Sequence, residues 1–103
     1  MTYRITEKMI ERKIAYLNEI TGNPAEPYTR GEDGSFAANV GNYHRSDAYG
    51  GVSLEQMVGP GGGVHDVFSC GHVPKRELFD RICAMIIGLE TVTPTHQSIK
   101  RPY

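Results

Sequence analysis

The sequence has little net charge, few cysteines and no long apolar run, and each of these shortages excludes a class of protein. Its 11 Lys and Arg residues nearly balance 12 Asp and Glu residues, which leaves a formal net charge of -1. No overall positive field therefore draws the chain onto a nucleic acid or an anionic membrane. The longest apolar runs, such as Ala84 to Ile87, are far too short to cross a bilayer. We therefore expect neither DNA, RNA nor a membrane among its partners.

The cysteines and the N-terminal residues indicate the compartment. Cys70 and Cys83 are the only cysteines, and the N-terminus lacks the basic and then apolar layout of a signal peptide. Structural disulfides are rare in reducing compartments, so we expect free thiols and a cytoplasmic protein. A length of 103 residues favours one hydrophobic core. We expect a single domain over residues 1–90 and an irregular C-terminal tail over 91–103.

The first regular element predicted is a helix from Thr6 to Thr21. Its apolar residues recur every three or four positions and share one face, at Met9, Ile10, Ile14, Leu17 and Ile20. Thr6 is suited to the N-cap, and Gly22 is suited to the left-handed position that ends a helix. Ile5 and Ile10 have the spacing of a hydrophobic staple. The N-cap, the apolar period and the C-terminal glycine therefore all predict the same helix.

Glycine is concentrated in the middle of the chain, where short alternating segments predict strands. Residues 23–34 contain two prolines and two glycines, which favours a loop that ends in a tight turn rather than regular pairing. Apolar and polar residues then alternate from Ser35 to Tyr43, and similar short segments follow at 52–58 and 64–69. Turn-forming glycines separate these segments. The pattern predicts an antiparallel sheet of three strands, or slightly more.

A second helix is predicted to begin at Pro74, since proline has no amide hydrogen to lose in the first turn. Its apolar stripe runs to Leu89 and is widened by Cys83 and Ile87. So broad a stripe exceeds what one small sheet covers, so we expect part of it to contact another subunit. Periodicity is lost beyond Thr91. The fold class expected is α+β, with an N-terminal helix, an antiparallel sheet, a C-terminal helix and an extended tail.

The densest group of polar side chains lies between residues 39 and 51. Amides can bind a base edge or a ribose hydroxyl, tyrosines can stack on a ring, and an arginine fork suits phosphate. Glycine allows backbone to approach a ligand. The candidate ligand contacts here are Asn39, Asn42, Tyr43, His44, Arg45, Tyr49, Gly50 and Gly51. An equally open alternative is that these residues only form a tight hairpin with tyrosines packed beside it.

A second candidate site is the entry into the C-terminal helix, where His72, Lys75 and Arg76 surround Pro74. Backbone amides at the positive end of a helix can bind an anion, and two basic side chains would assist. The alternative is an ordinary turn followed by two solvated charges. The Gly59–Gly63 loop lacks the Lys-Ser/Thr ending of a P-loop, so it is not interpreted as a phosphate-binding loop.

Nothing in the sequence has the spacing of a metal site or of an acid-base pair. The histidines and cysteines form no paired CxxC or HxxxH pattern. Ser46 and Asp47 follow His44 closely, but a catalytic triad depends on geometry across a fold rather than on adjacency. We therefore expect no bound metal, no cofactor and no catalytic residue, although an enzyme stays possible.

Five segments resemble a family of small phage-encoded proteins. They are YRIT (3–6), LNEITGNP (17–24), NVGNYH (39–44), AYGGV (48–52) and GHVPKREL (71–78). The family is similar to the Thoeris anti-defence sponges. The resemblance implies a non-catalytic homo-oligomer, a dimer or a hexamer, in the host bacterial cytoplasm. It would sequester a cyclic ADP-ribose-type or cyclic oligonucleotide signal without cleaving it.

Two further arginines, Arg30 and Arg101, complete the predicted ligand contacts because a phosphate-bearing ligand needs basic groups. Arg101 lies in the tail, outside the resemblance. The alternative function is a phage protein that inhibits a host protein through the apolar face of its second helix. Nucleic-acid binding is a third hypothesis, which the balanced charge disfavours.

Overall fold

A computed structural model describes residues 3–96, and in this range the chain forms two helices and five short strands. In chain order they are α1 (Glu7–Thr21), β1 (Tyr28–Arg30), β2 (Phe36–Ala38), β3 (Tyr43–Ala48), β4 (Gly51–Met57), β5 (Val64–Asp66) and α2 (Lys75–His96). The predicted α+β class, with a helix before and a helix after antiparallel strands, is confirmed.

The α1 helix forms as the sequence predicts. Thr6 is its N-cap, and the Thr6 hydroxyl accepts a hydrogen bond from the Met9 amide at 3.2 Å. Gly22 ends the helix in the left-handed conformation, with φ of 72°, which glycine adopts without a steric cost. Ile5 and Ile10 are both buried. The capping signals therefore fix both ends of α1.

The strands differ from the prediction in number and in position. Residues 28–30 do not form a loop; they pair with Phe36–Ala38 in a separate two-stranded sheet. Pairing is possible because Gly31 closes the turn, its amide donating to the Ser35 carbonyl at 2.7 Å. The predicted first strand is therefore interrupted after Ala38, and its last residue, Tyr43, begins a different strand.

The three-stranded sheet has the order β3-β4-β5, and both pairings are antiparallel. The prediction treated residues 39–51 as a connection, yet residues 43–48 form a strand. The connection between β3 and β4 is only Tyr49-Gly50, which have φ of 55° and 75°. Two successive left-handed residues are the turn that joins twisted antiparallel strands most tightly.

One hydrophobic core lies between the sheet and the two helices. Val52 and Leu54 from β4 meet buried residues of both helices there. The other buried members of this core are Ile5, Ile10, Ile14, Leu17, Leu78, Ile82 and Ile86. Since α1 and α2 share this core with the central strand β4, the N-terminal ends of the helices are positioned relative to the sheet.

The α2 helix begins at Lys75, directly after Pro74, and extends to His96. The prediction of an irregular tail from residue 91 is therefore wrong over 91–96, and residues 97–103 lie outside the described range. Backbone hydrogen bonds continue a helix without any apolar periodicity, and the Thr91 hydroxyl also donates to the Ile87 carbonyl at 2.8 Å. Within residues 3–96, no helix is long and apolar enough to cross a membrane.

Candidate functional site

The tip of the β3-β4 hairpin forms one side of a groove to which each helix contributes its first residue. Glu7 begins α1 and Lys75 begins α2. The groove has a volume of about 350 Å³ and is lined by Glu7, Asp47, Ala48, Gly50, Gly51, Val52 and Lys75. We call it the hairpin-tip groove. It brings together Gly50, Gly51 and Lys75, three of the ligand contacts that the sequence predicts.

Gly51 allows the hairpin to pack directly on the segment before α2. A Cβ atom at this position would lie 2.9 Å from the carbonyl oxygen of Val73 and 3.0 Å from its amide nitrogen. The neighbouring Val52 and Val73 form an antiparallel bridge, with N···O distances of 2.8 and 2.9 Å. This close backbone approach fixes the start of α2, and with it Lys75, against the sheet.

Tyr49 and His72 lie next to each other at the hairpin tip. Their ring centroids are 5.7 Å apart at an angle of 71°, and Tyr49 is 96% exposed. The His72 Nε2 atom lies 3.2 Å from the Ser46 hydroxyl and 3.5 Å from that of Ser53. His72 is therefore held against the sheet, while Tyr49 presents an almost fully accessible ring, as stacking on a base requires.

The contact between Ser46 and His72 resembles only part of a nucleophilic site. A serine nucleophile needs a base, a group that orients this base, and donors for the oxyanion. Among residues 3–92, His72 makes its side-chain contacts with two serines and a tyrosine, not with a carboxylate. In the same part of the chain, no group of three His, Cys, Asp or Glu residues could hold a metal ion.

Arg45 faces carboxylates rather than an open phosphate site. Its Nε atom lies 2.9 Å from Asp47 Oδ1, and its two terminal nitrogens lie 3.1 Å from Glu11 Oε2 and 3.7 Å from Glu7 Oε1. The guanidinium fork predicted to bind phosphate is thus surrounded by acids of this chain. Arg45 acts on the hairpin-tip groove indirectly, because it balances the charges of Glu7 and Asp47.

Asn39 and Asn42 hold loops in place. The fully buried Asn42 donates from Nδ2 to the Pro24 carbonyl at 2.9 Å, which leaves its Oδ1 3.0 Å from His44 Nδ1. Asn39 donates to the Glu26 carbonyl at 3.0 Å. Since the amides already have partners within the chain, the structure gives both residues a supporting role.

Tyr43 and His44 line a second groove, which also includes Glu11 of α1. This groove, of about 330 Å³, is bounded by Glu11, Ile14, Ala15, Asn18, Ala25, Glu26, Pro27, Tyr43 and His44. His44 also lies against the sheet, with Nε2 3.4 Å from Glu55 Oε1. We call this second groove the α1 groove. The residues predicted between 39 and 51 are therefore divided between two grooves and the scaffold that separates them.

Two of the other predicted arginines, Arg30 and Arg76, line neither groove. Arg30 lies on β1, with its guanidinium carbon 5.8 Å from the ring centroid of Phe36. The Arg76 guanidinium carbon lies 5.6 Å from the ring centroid of Tyr3, and this arginine also donates to the Tyr3 carbonyl. Arg101 lies outside the described residues. Of the predicted basic residues, Lys75 is the one that lines the hairpin-tip groove.

Glu7 and Asp47 line the hairpin-tip groove but are not among the ligand contacts predicted from the sequence. Isolated acidic residues are usually solvated, so their residue type alone does not indicate a site. A signal was nevertheless present: Glu7 is the first residue after a strong N-cap, and Asp47 shortly precedes the Tyr49-Gly50 turn. Both positions lie at the ends of elements, where side chains from distant segments meet.

The phenol of Tyr43 gives the protein an expected alkaline sensitivity. Burial raises the pKa of Tyr43 above its ordinary value of 10.0. The folded state thus holds the phenol proton more tightly than the unfolded chain does. The contribution of this proton to the free energy of unfolding is therefore complete below about pH 10, and it is lost as the pH rises through the pKa of the folded state. We expect urea unfolding to show a steeper loss of stability above pH 10 for the wild type than for Tyr43→Phe. Tyr3→Phe, at an exposed position, is the control and should follow the wild type; equal slopes for all three proteins would contradict this assignment.

The chain was compared with known proteins. No protein-family description, no curated protein and no solved structure matches it.

Proposed function

We propose that this protein is a phage anti-defence sponge that binds a cyclic ADP-ribose-type or cyclic oligonucleotide signal and sequesters it uncleaved. The observation that supports this most directly is the composition of the hairpin-tip groove. Lys75, the first residue of α2, lines the groove together with Asp47, Glu7 and the two hairpin glycines. The groove therefore places a cation next to hydrogen-bond acceptors and to the backbone of the hairpin tip.

Each part of this groove suits a different part of such a ligand. Lys75 and the positive end of α2 favour a phosphate. Carboxylates such as Asp47 accept hydrogen bonds from ribose hydroxyls, as acidic residues do in dinucleotide-binding folds. Tyr49 does not line the groove, but it lies in the chain between the lining residues Ala48 and Gly50, and its exposed ring can stack on a base.

The size of the groove favours a small ligand over a polymer. Its volume of about 350 Å³ lies near the lower end of the range for small-molecule sites, roughly 300–1,000 Å³. A sponge requires slow release rather than turnover, and rigid positioning of the contacts lowers the cost of binding. The bridge between Val52 and Val73 provides this rigidity.

Calorimetry with ADP-ribose, cyclic ADP-ribose isomers and cyclic di- and trinucleotides tests the proposal. We expect at least one compound to bind with a submicromolar dissociation constant, which corresponds to a favourable binding free energy on the order of 8 kcal/mol or more. We also expect the intact ligand to be recovered after heat denaturation of the protein. Lys75→Gln and Tyr49→Ala should each weaken binding about tenfold or more. Lys8→Gln, at an exposed position of α1, is the matched control and should bind as the wild type does.

Two outcomes would contradict this function. Absence of binding to every compound would exclude a nucleotide sponge, and recovery of a cleaved product would make the protein an enzyme. If Lys75→Gln and Lys8→Gln bound equally, the ligand would occupy another site, and the role of the hairpin-tip groove would be wrong.

A second candidate function is inhibition of a host protein through α2. Ile87 is 63% exposed on this helix, although the sequence pattern makes it part of the apolar stripe. An exposed apolar side chain on a helix is a common protein-binding feature. Affinity capture from host lysate with the wild type and with Ile87→Asp separates the two functions. Only inhibition through α2 predicts that the wild type captures a host protein and that Ile87→Asp does not.

A further inference from the structure

The side chains of the β1-β2 hairpin are mostly exposed. All three residues of β1 are exposed, as are Phe36 and Ala37 of β2. A two-stranded hairpin is marginally stable in water unless a face of it packs against something else. We call residues 28–38 the hairpin arm. The exposure of the hairpin arm indicates that a further molecule packs against it.

One face of the hairpin arm carries aromatic rings and a cation. The register pairs Tyr28 with Ala38 and Arg30 with Phe36, so Tyr28, Arg30 and Phe36 share a face. The Tyr28 and Phe36 rings are 6.4 Å apart at an angle of 81°, and they are 45% and 66% exposed. Aromatic and arginine side chains of this kind dominate the binding energy of protein interfaces.

The hairpin arm also carries an unpaired charge of each sign. Neither Arg30 nor Glu32 takes part in an ion pair within residues 3–92. Asp33, in contrast, is held by the Ser35 hydroxyl at 2.7 Å and the Ser35 amide at 3.0 Å. A surface that offers one unpaired cation and one unpaired carboxylate beside aromatic rings is complementary to a second copy of itself.

We infer that the hairpin arm is a two-fold symmetric interface with a second copy of this chain. The two aromatic faces pack on each other, and Arg30 of each copy pairs with Glu32 of the other copy. A two-fold interface requires the same patch to be self-complementary, and paired aromatic rings with reciprocal charges satisfy this requirement. The interface shares no residue with the hairpin-tip groove. Experiments can therefore disprove the proposed function without disproving this interface, and they can disprove the interface without disproving the function.

Light scattering and sedimentation of charge-reversal variants test the inference. The wild type should have at least twice the chain mass of 11.4 kDa. Arg30→Glu places carboxylates opposite carboxylates, and Glu32→Arg places cations opposite cations, so each variant alone should associate at least about tenfold more weakly. A mixture of the two variants restores both ion pairs between unlike copies. We expect mixed dimers to form in that sample.

The mixing step separates an interface from damage within one chain, because a local folding defect cannot be repaired by adding a second variant. Phe36→Ser should also lower the mass, whereas Val58→Ser, at an exposed apolar position after β4, should leave it unchanged. A monomeric wild type would overturn the inference. So would charge variants that associate as the wild type does, or a mixture that associates no better than its components. If Phe36→Ser weakened nucleotide binding but left the mass unchanged, the hairpin arm would be a base-stacking surface and the interface would be wrong.

Discussion

Replacement of Asn18 by leucine is expected to lower the free energy of unfolding by about 2–4 kcal/mol. Asn18 is only 2% exposed and lies on α1 beside the edge strand β3. Its Nδ2 donates to the Tyr43 carbonyl at 3.0 Å, and its Oδ1 accepts from the Tyr43 amide at 2.8 Å. The side chain thus satisfies both backbone groups of Tyr43, as a neighbouring strand would. Leucine has a similar size but leaves both groups without a partner.

Urea denaturation measures the loss of unfolding free energy in Asn18→Leu, and hydrogen exchange shows which backbone amides lose protection. The Tyr43 amide should lose protection in Asn18→Leu more than the amides within β4 do. Asn39→Leu is the matched control, because Asn39 also bonds backbone, at Glu26, but in exposed surroundings that water can reach. We expect a cost of about 1 kcal/mol or less there. Equal costs at the two positions would show that burial of the Tyr43 groups is not what makes Asn18 important.

The helices could be predicted from the sequence because their signals are local. For α1, the cap at Thr6, the apolar period and the stop at Gly22 all lie within one continuous segment. The role of Asn18 could not be predicted in this way, since a single polar residue beside Leu17 reads as part of the solvated face. Its partner is Tyr43, 25 residues away, and only the packing of α1 on β3 reveals the pairing.

The strands were predicted less well because their pairing depends on distant segments. Alternation from Ser35 to Tyr43 is compatible with one strand, but Gly41, with φ of 101°, interrupts it. The Gly41 amide donates to the Met57 carbonyl at 2.7 Å, and a Cβ atom at Gly41 would lie 2.5 Å from the Asn23 side chain. No local pattern predicts that contact, and without it the two strands look continuous.

The candidate site shows the same division between local and distant information. Gly50 and Gly51 were identified because tight turns and close backbone approach require glycine, and both line the hairpin-tip groove. Arg45 was assigned to phosphate from its chemical type alone. Its three acidic neighbours include Glu7 and Glu11, which lie more than 30 positions earlier in the chain. Charge chemistry names what a side chain can bind, and the fold determines which partner it meets.

Gly51→Ala is expected to destabilise the protein by about 1–3 kcal/mol and to weaken nucleotide binding at least about tenfold. The added Cβ atom would lie 2.9 Å from the Val73 carbonyl oxygen and 3.1 Å from the His72 carbonyl carbon. These are backbone atoms, so no side-chain rotation relieves the contact. The segment before α2 must move away from β4, which weakens the bridge between Val52 and Val73 and displaces Lys75.

The neighbouring glycine provides a control that separates turn conformation from packing. Gly50 has φ of 75°, and no atom lies within 4 Å of a Cβ atom built there. Asparagine tolerates the left-handed conformation, so Gly50→Asn should retain nearly full stability and affinity. Denaturation, calorimetry and exchange at the Val52 and Val73 amides distinguish the two variants. If Gly51→Ala kept the wild-type affinity while exchange at Val73 rose, a fixed start of α2 would not be what forms the ligand site, and the proposed role of Lys75 would have to be abandoned.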